Sequence, residues 1–152
     1  MTATTTKYLV DTNILVYAYE RSSSVKQSRA LEVLERLVQT GSGALSTQVL
    51  SEFYVVATRK LNAPLSVDEA LARVEYYLTN WIVLNIAPLT IREALRGLQR
   101  YQLSYWDALV WATARTNGLP AILTEDLNIG ASLDGVQIIN PLDEKVDLSL
   151  LS

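Results

Sequence analysis

The chain has 152 residues, of which 49% are hydrophobic and 19% are charged, a balance typical of one globular domain with a substantial core. Its net charge is −3, so it lacks the basic surplus of proteins that bind nucleic acid mainly by charge. It contains no cysteine and no histidine, which excludes disulfides, thiolate chemistry and a Ser-His-Asp triad.

Short apolar runs rich in β-forming residues alternate with longer helical patterns along the chain. In chain order, they predict strands at 7–10, 44–46, 82–85, 121–123 and 136–139. Between the strands they predict helices at 13–20, 25–39, 47–60, from 66 onward, 90–101 and 105–116. Ser66 and Glu69 have the spacing of a capping box at the start of one helix. Strands separated by helices imply an α/β sandwich with a central, mostly parallel sheet.

We expect one domain over residues 1–152, with an ordered core of about 7–142 and short tails at both ends. The polar, Thr-rich start of the chain lacks the basic and apolar regions of a signal peptide. No run approaches the roughly 18 apolar residues of a membrane helix. We therefore expect a cytoplasmic protein without a membrane partner.

Four acids lie beside apolar runs, where a carboxylate loses hydration and needs a partner charge or donors. They are Asp11, Glu52, Asp107 and Asp126. Two carboxylates ~5 Å apart oppose each other by roughly 3 kcal/mol at an effective dielectric constant of ~20. Because Mg²⁺ and Mn²⁺ prefer oxygen ligands, the first hypothesis is an acidic metal pocket.

The predicted elements place these acids near one another. Asp11 and Asp126 both follow predicted strands, so they should open onto the same edge of a parallel sheet. At about 100° per residue, Glu52 falls on the margin of the apolar stripe of its helix. Asp107 opens a helix that is apolar almost all round, so we expect it in or beside the core.

Each acid also has a structural explanation. Asp11 suits an Asx-turn or a helix cap, and Asp107 has capping-box spacing from Ser104. Asp126 suits a loop, and Glu125 beside it is expected to be solvated. These explanations are independent of one another, whereas a metal pocket accounts for all four acids together.

The sequence favours structural roles for its aromatic and basic side chains. The aromatic residues are more often core than base-stacking surfaces. They are Tyr54, Tyr76, Tyr77, Trp81, Tyr101, Tyr105, Trp106 and Trp111. The basic residues at 59–60, 92, 96 and 100 are interpreted as solvated helix faces, with phosphate contact as the minor alternative.

Five segments resemble, in order and spacing, those of the PIN-domain ribonucleases over about residues 7–142. They are residues 7–13 (Lys-Tyr-Leu-Val-Asp-Thr-Asn), 46–53 (Ser-Thr-Gln-Val-Leu-Ser-Glu-Phe), 101–108 (Tyr-Gln-Leu-Ser-Tyr-Trp-Asp-Ala), 123–127 (Leu-Thr-Glu-Asp-Leu) and 139–141 (Ile-Asn-Pro). The size is similar to that of VapC toxins of toxin–antitoxin pairs. Leu142 departs from the pattern, since an aromatic residue is common there, and the tail to Ser152 is longer than the pattern needs.

The resemblance implies a three-layer α/β/α PIN-like sandwich and an Mg²⁺-dependent endoribonuclease in which Mn²⁺ substitutes. Asp11 and Asp107 would be the most direct metal ligands, and Glu52 and Asp126 would bind directly, through water or at a second site. Hydroxyl and amide groups would orient these carboxylates by hydrogen bonds. The groups are those of Thr12, Asn13, Ser46 and Thr124. The substrate would be RNA, and the partners a second copy of the chain and a cognate antitoxin that blocks the cleft.

Two other functions remain open at this point. An apolar strand ending in Asp also opens haloacid-dehalogenase-type phosphatases, but their second Asp is replaced here by Asn13, and their lysine is not evident before Thr124. A non-catalytic PIN-like binding module is the other, although such modules tend to lose one or more of the acids. Exposed apolar positions between Thr47 and Asn80 are candidates for a dimer interface.

Overall fold

A computed structural model describes residues 6–152. The elements are β1 (Tyr8–Val10), α1 (Thr12–Tyr17), α2 (Ser24–Thr40), β2 (Gly43–Ser46), α3 (Thr47–Arg59), α4 (Val67–Asn80), β3 (Ile82–Leu84), α5 (Pro88–Tyr101), α6 (Tyr105–Thr116), β4 (Ala121–Leu123), β5 (Ser132–Leu133), β6 (Val136–Ile139) and a final 3₁₀ turn (Leu148–Leu150). The predicted strands and helices are confirmed with small shifts at their ends, and the short strand β5 was not predicted. The capping box of Ser66 and Glu69 is present.

The strands form one sheet in the order β3-β2-β1-β4-β6-β5. Neighbouring strands are parallel except β5 and β6, which form an antiparallel edge. Successive residues on a strand face opposite sides, so Leu9 packs in one core and Val10 in the other. Helices α1 to α4 cover the Val10 face, and α5 and α6 cover the Leu9 face. This is the predicted three-layer α/β/α sandwich.

Helix α6 contains a continuous buried stretch. Its residues 108–114 are all buried, which agrees with its apolar sequence. Helix α5 approaches it closely at Gly97, where an added Cβ would lie 2.4 Å from Cζ3 of the Trp111 ring. None of the helices among residues 6–152 combines the length and the apolar character that a membrane span requires.

The aromatic residues divide into core and surface. Trp111 and Tyr77 are buried, as predicted. Trp106 is 63% exposed and Tyr76 is 39% exposed, so the prediction that they lie in the core is wrong. Trp106 is the second residue of α6 and precedes the buried stretch of that helix, which begins at Ala108.

The segment after β6 packs against the first core. Leu142, Leu148 and Leu151 are buried there, so Leu142 supplies apolar packing although the resemblance favours an aromatic residue. The Arg29 side chain donates to three backbone carbonyls of this segment, at 2.8 to 3.0 Å. The segment is therefore fixed by both burial and hydrogen bonds.

Candidate active site

The candidate site lies where β1 and β4 end. These strands are parallel neighbours, with Val10 opposite Leu123, so the residues that follow them meet at one edge of the sheet. The Thr124 hydroxyl donates to Oδ2 of Asp11 at 2.8 Å and joins the two strand ends. The expectation that the two strand ends open onto the same edge is confirmed.

Asp11 is the buried acid of the site, with 6% of its surface exposed. It is the N-cap of α1, and its Oδ1 accepts the backbone N–H of Thr12 at 2.8 Å, so the predicted cap is real. Burial is the main cause that raises the pKa of Asp11 from 3.8 to about 6. Hydrogen bonds from Thr124 and Thr12 oppose this rise, and the charges of Glu52 and Asp107 add to it.

Glu52 lies half-buried on α3, at the margin of the apolar stripe as expected. Its Oε2 accepts the Thr12 hydroxyl at 3.0 Å, and its Oε1 accepts Nε2 of Gln48 at 2.7 Å. The same Gln48 nitrogen donates to the backbone carbonyl of Trp106 at 3.2 Å. Gln48 therefore connects Glu52 to the start of α6. Sequence reasoning missed it, although its position four residues before Glu52 on a helix was a usable signal.

Asp126 is an exposed acid that Asn13 orients. Nδ2 of Asn13 donates to Oδ2 of Asp126 and to the Thr124 hydroxyl, both at 3.1 Å. Oδ1 of Asn13 accepts the backbone N–H of Glu125 at 3.2 Å. The amide of Asn13 therefore links the start of α1 to the loop after β4.

Asp107 is half-buried in the first turn of α6. Its backbone N–H donates to Oγ of Ser104 at 3.2 Å, so Ser104 caps the helix as its spacing predicted. In the part of the chain that the structure describes, the Asp107 carboxylate accepts no hydrogen bond. It lines the same cleft as Asp11, and its charge contributes to the raised pKa of that residue.

Ser46 has a structural contact at the same edge of the sheet. Its hydroxyl accepts the N–H of Val49 at 3.1 Å and caps α3. Among residues 6–152 it makes no hydrogen bond to any of the four acids. The other proposed orienting groups, those of Thr12, Asn13 and Thr124, each contact an acid directly.

All four acids line one cleft of about 490 Å³, although they are distant in sequence. The lining also includes Tyr17, Lys60 and Glu125. The structure thus brings together the acids that the sequence singled out. Because three of them are at least partly buried, their negative charges are screened less than surface charges would be.

Glu125 is only partly solvated, because two side chains bind its carboxylate, and the sequence did not predict these partners. Its side chain is 22% exposed and forms an ion pair with Lys26, whose Nζ lies 2.6 Å from Oε2. The Tyr17 hydroxyl donates to its Oε1 at 2.9 Å. Helices α1 and α2 bring these two partners to the loop, although they lie about a hundred residues away in the chain.

The donor set fits a hard divalent cation in its chemistry. It consists of oxygen ligands, and a cation would relieve both the burial of the Asp11 charge and its repulsion by Glu52 and Asp107. Within residues 6–152, no three acidic side chains are already arranged to hold one ion.

The sequence model of the PIN domain family matches residues 8–131, and the chain belongs to this family. Solved structures with the same fold include a toxin–antitoxin complex from Klebsiella pneumoniae, at 24% identity over 89% of this chain and 98% of that chain, with a TM-score of 0.64. VapC20 from Mycobacterium tuberculosis, described as a sarcin–ricin loop cleaving toxin, has 20% identity over 80% of this chain and 92% of its own, with a TM-score of 0.62. DNA-bound VapBC from Salmonella typhimurium has 20% identity over 88% of this chain and 96% of that chain, with a TM-score of 0.63. A search of curated proteins gave no match.

Proposed function

We propose that this chain is a metal-dependent endoribonuclease that cleaves phosphodiester bonds in RNA, and that it is the toxin of a type II toxin–antitoxin pair. The observation that carries the proposal is the convergence of four sequence-distant acids on one cleft, around a buried Asp11. Membership of the PIN domain family supports a nuclease. The similar structures, which are named as toxins and toxin–antitoxin complexes, support the assignment as a toxin.

The mechanism assigns Asp11 and Asp107 as the direct ligands of Mg²⁺ or Mn²⁺, with Glu52 and Asp126 binding directly or through water. When bound, the ion would make water a stronger acid and stabilise charge that develops on the attacked phosphate. The protein contributes orientation. Thr12 and Thr124 fix both oxygens of Asp11 by hydrogen bonds, so its carboxylate faces the cleft in one orientation.

The other acids are oriented in the same way. Gln48 and the Thr12 hydroxyl bind the two oxygens of Glu52, and Asn13 binds one oxygen of Asp126. Each of these carboxylates keeps lone pairs for an ion or a water. No histidine is required as a base, which suits a chain that has none.

We also propose that a single-stranded RNA segment contacts the start of α6 and the cleft. The exposed Trp106 indole lies one residue before Asp107 and offers a face on which a base can stack. The Tyr105 ring packs against it edge-on, with centroids 5.1 Å apart. Lys60 supplies a positive charge in the lining of the cleft. We therefore assign Trp106 and Lys60 as RNA contacts.

A cognate antitoxin and a second copy of the chain are the proposed protein partners. Helices α3 and α4 expose apolar side chains around a groove of about 430 Å³, which is lined by Leu50, Tyr54, Leu71, Val74 and Leu78. These residues fall in the segment that the sequence offered as a dimer interface. We assign the second copy to this surface, and Leu71→Glu should shift a dimer to a monomer in analytical ultracentrifugation.

The deciding experiment is cleavage of a panel of structured RNAs with Mg²⁺, Mn²⁺ or EDTA, by the antitoxin-free chain and by Asp107→Asn. We expect cuts that require metal and are absent in the variant. Full activity of Asp107→Asn, or full activity in EDTA, would refute the assignment. Failure to cut combined with failure to bind Mn²⁺ would favour a binding module, and release of phosphate from small phosphoesters would favour a phosphatase.

A further inference from the structure

Three residues next to the acidic cleft form a compact charged cluster, which we call the Glu125 clamp: Tyr17, Lys26 and Glu125. Lys26 Nζ lies 2.6 Å from one Glu125 oxygen, and the Tyr17 hydroxyl lies 2.9 Å from the other. Lys26 also lies over the Tyr17 ring, 4.9 Å from its centroid. Both oxygens of Glu125 are therefore bound by different partners, one on α1 and one on α2.

The clamp connects to the acids through the backbone of Glu125. The N–H of Glu125 donates to Oδ1 of Asn13, so the Asn13 amide must point its nitrogen the other way. That nitrogen donates to Asp126 and to Thr124, and Thr124 in turn donates to Asp11. A continuous hydrogen-bonded path therefore leads from the clamp to two of the four acids.

The clamp also gives two neighbouring acids different electrostatic surroundings. Glu125 and Asp126 both line the cleft, so either side chain is a possible oxygen ligand. The ion pair with Lys26 compensates the charge of Glu125. Asp126 has no such cation within the described residues and faces the cleft with its charge uncompensated.

We propose that the Glu125 clamp positions Asn13 and selects Asp126, rather than Glu125, as the acid that serves the cleft. Glu125 is thus a positioning residue, and the role assigned to Asp126 rests on the proposed metal-dependent function. Ion binding would then depend on the clamp as well as on the four acids and their direct hydrogen-bond partners.

The test uses Lys26→Met and Tyr17→Phe, which remove the partners of Glu125 and leave its backbone unchanged. Glu93→Ala is a matched control, because Glu93 pairs with Arg96 at the same 2.6 Å and is 20% exposed, against 22% for Glu125. Mn²⁺ binding is measured by titration calorimetry on the full chain. We expect about tenfold weaker Mn²⁺ binding in the clamp variants, no change in Glu93→Ala, and recovery in Lys26→Arg.

A second measurement needs no metal. The side-chain amide protons of Asn13 are followed by NMR, and we expect faster exchange and shifted signals in Lys26→Met than in Glu93→Ala. Clamp variants that match Glu93→Ala in both measurements would overturn the inference. If no chain binds Mn²⁺ but the Asn13 signals still respond to Lys26→Met, the positioning of Asn13 is supported and the proposed metal-dependent function fails.

Discussion

Asp11→Asn should stabilise the protein when divalent cations are absent. The pKa of Asp11 is raised from 3.8 to about 6, so the folded state binds its proton more tightly than the unfolded state. A difference of about 2 pKa units corresponds to roughly 3 kcal/mol of unfolding free energy, at about 1.36 kcal/mol per unit. The ionised Asp11 carboxylate lowers the stability of the folded state by this amount. Because the folded pKa is raised, this destabilisation is absent well below pH 3.8, grows as the pH rises to about 6, and is constant above it.

Asp11→Asn also loses a hydrogen bond, and this loss reduces the expected stabilisation. The amide oxygen that Asp11→Asn introduces can still accept the Thr12 N–H, but the new amide nitrogen would face the Thr124 hydroxyl. That hydroxyl oxygen already accepts from Asn13 and from the Asp126 backbone, so one hydrogen bond is lost, at about 1 kcal/mol. The expected net effect is a gain of roughly 2 kcal/mol near pH 7 and a loss of roughly 0.5 kcal/mol near pH 4.

Urea unfolding in EDTA at both pH values measures this difference. Glu75→Gln is the control, because it neutralises an exposed acid on α4 and should change stability by less than about 0.5 kcal/mol. Mn²⁺ should then stabilise the parent chain and leave Asp11→Asn unaffected. The reasoning is refuted if Asp11→Asn is no more stable than the parent near pH 7, or if its gain is equally large near pH 4.

Three further substitutions test other parts of the structure. Gln48→Leu removes the donor between Glu52 and the Trp106 carbonyl, and kcat with saturating RNA should fall about tenfold; an unchanged kcat would remove Gln48 from the site. Trp106→Ala should raise KM for RNA by the equivalent of about 1–3 kcal/mol with little change in kcat, and Trp106→Phe should recover part of it. Gly97→Ala should lower the free energy of unfolding by about 1–3 kcal/mol, because the new Cβ would meet the buried Trp111 ring at 2.4 Å. An unchanged free energy of unfolding in urea would show that α5 can shift to accommodate the methyl group.

The sheet, the helices and the four acids were predictable because each leaves a local pattern. Alternating elements specify the parallel sheet, and the apolar sequence of α6 specifies its burial. Partners from distant segments leave no such pattern. The ion pair between Lys26 and Glu125 joins residues 99 positions apart, and nothing near Glu125 in the sequence distinguishes it from a solvated acid. The exposure of Trp106 was missed because the apolar sequence of α6 extends into its first turn, whereas the buried stretch begins only at Ala108.

The four acids differ in burial and in the hydrogen bonds that they accept. Substituting them should therefore affect stability differently, even where the effect on cleavage is the same. Asp11, Glu52 and Asp126 each accept hydrogen bonds from neighbouring side chains, whereas the Asp107 carboxylate accepts none among residues 6–152. Of the four, Asp11 alone is buried, so it alone should oppose folding strongly when it is charged. Under the proposed function, Asp11→Asn and Asp107→Asn should both abolish cleavage. Asp11→Asn should also change the pH dependence of stability, because it removes the buried carboxyl whose pKa is raised in the folded state.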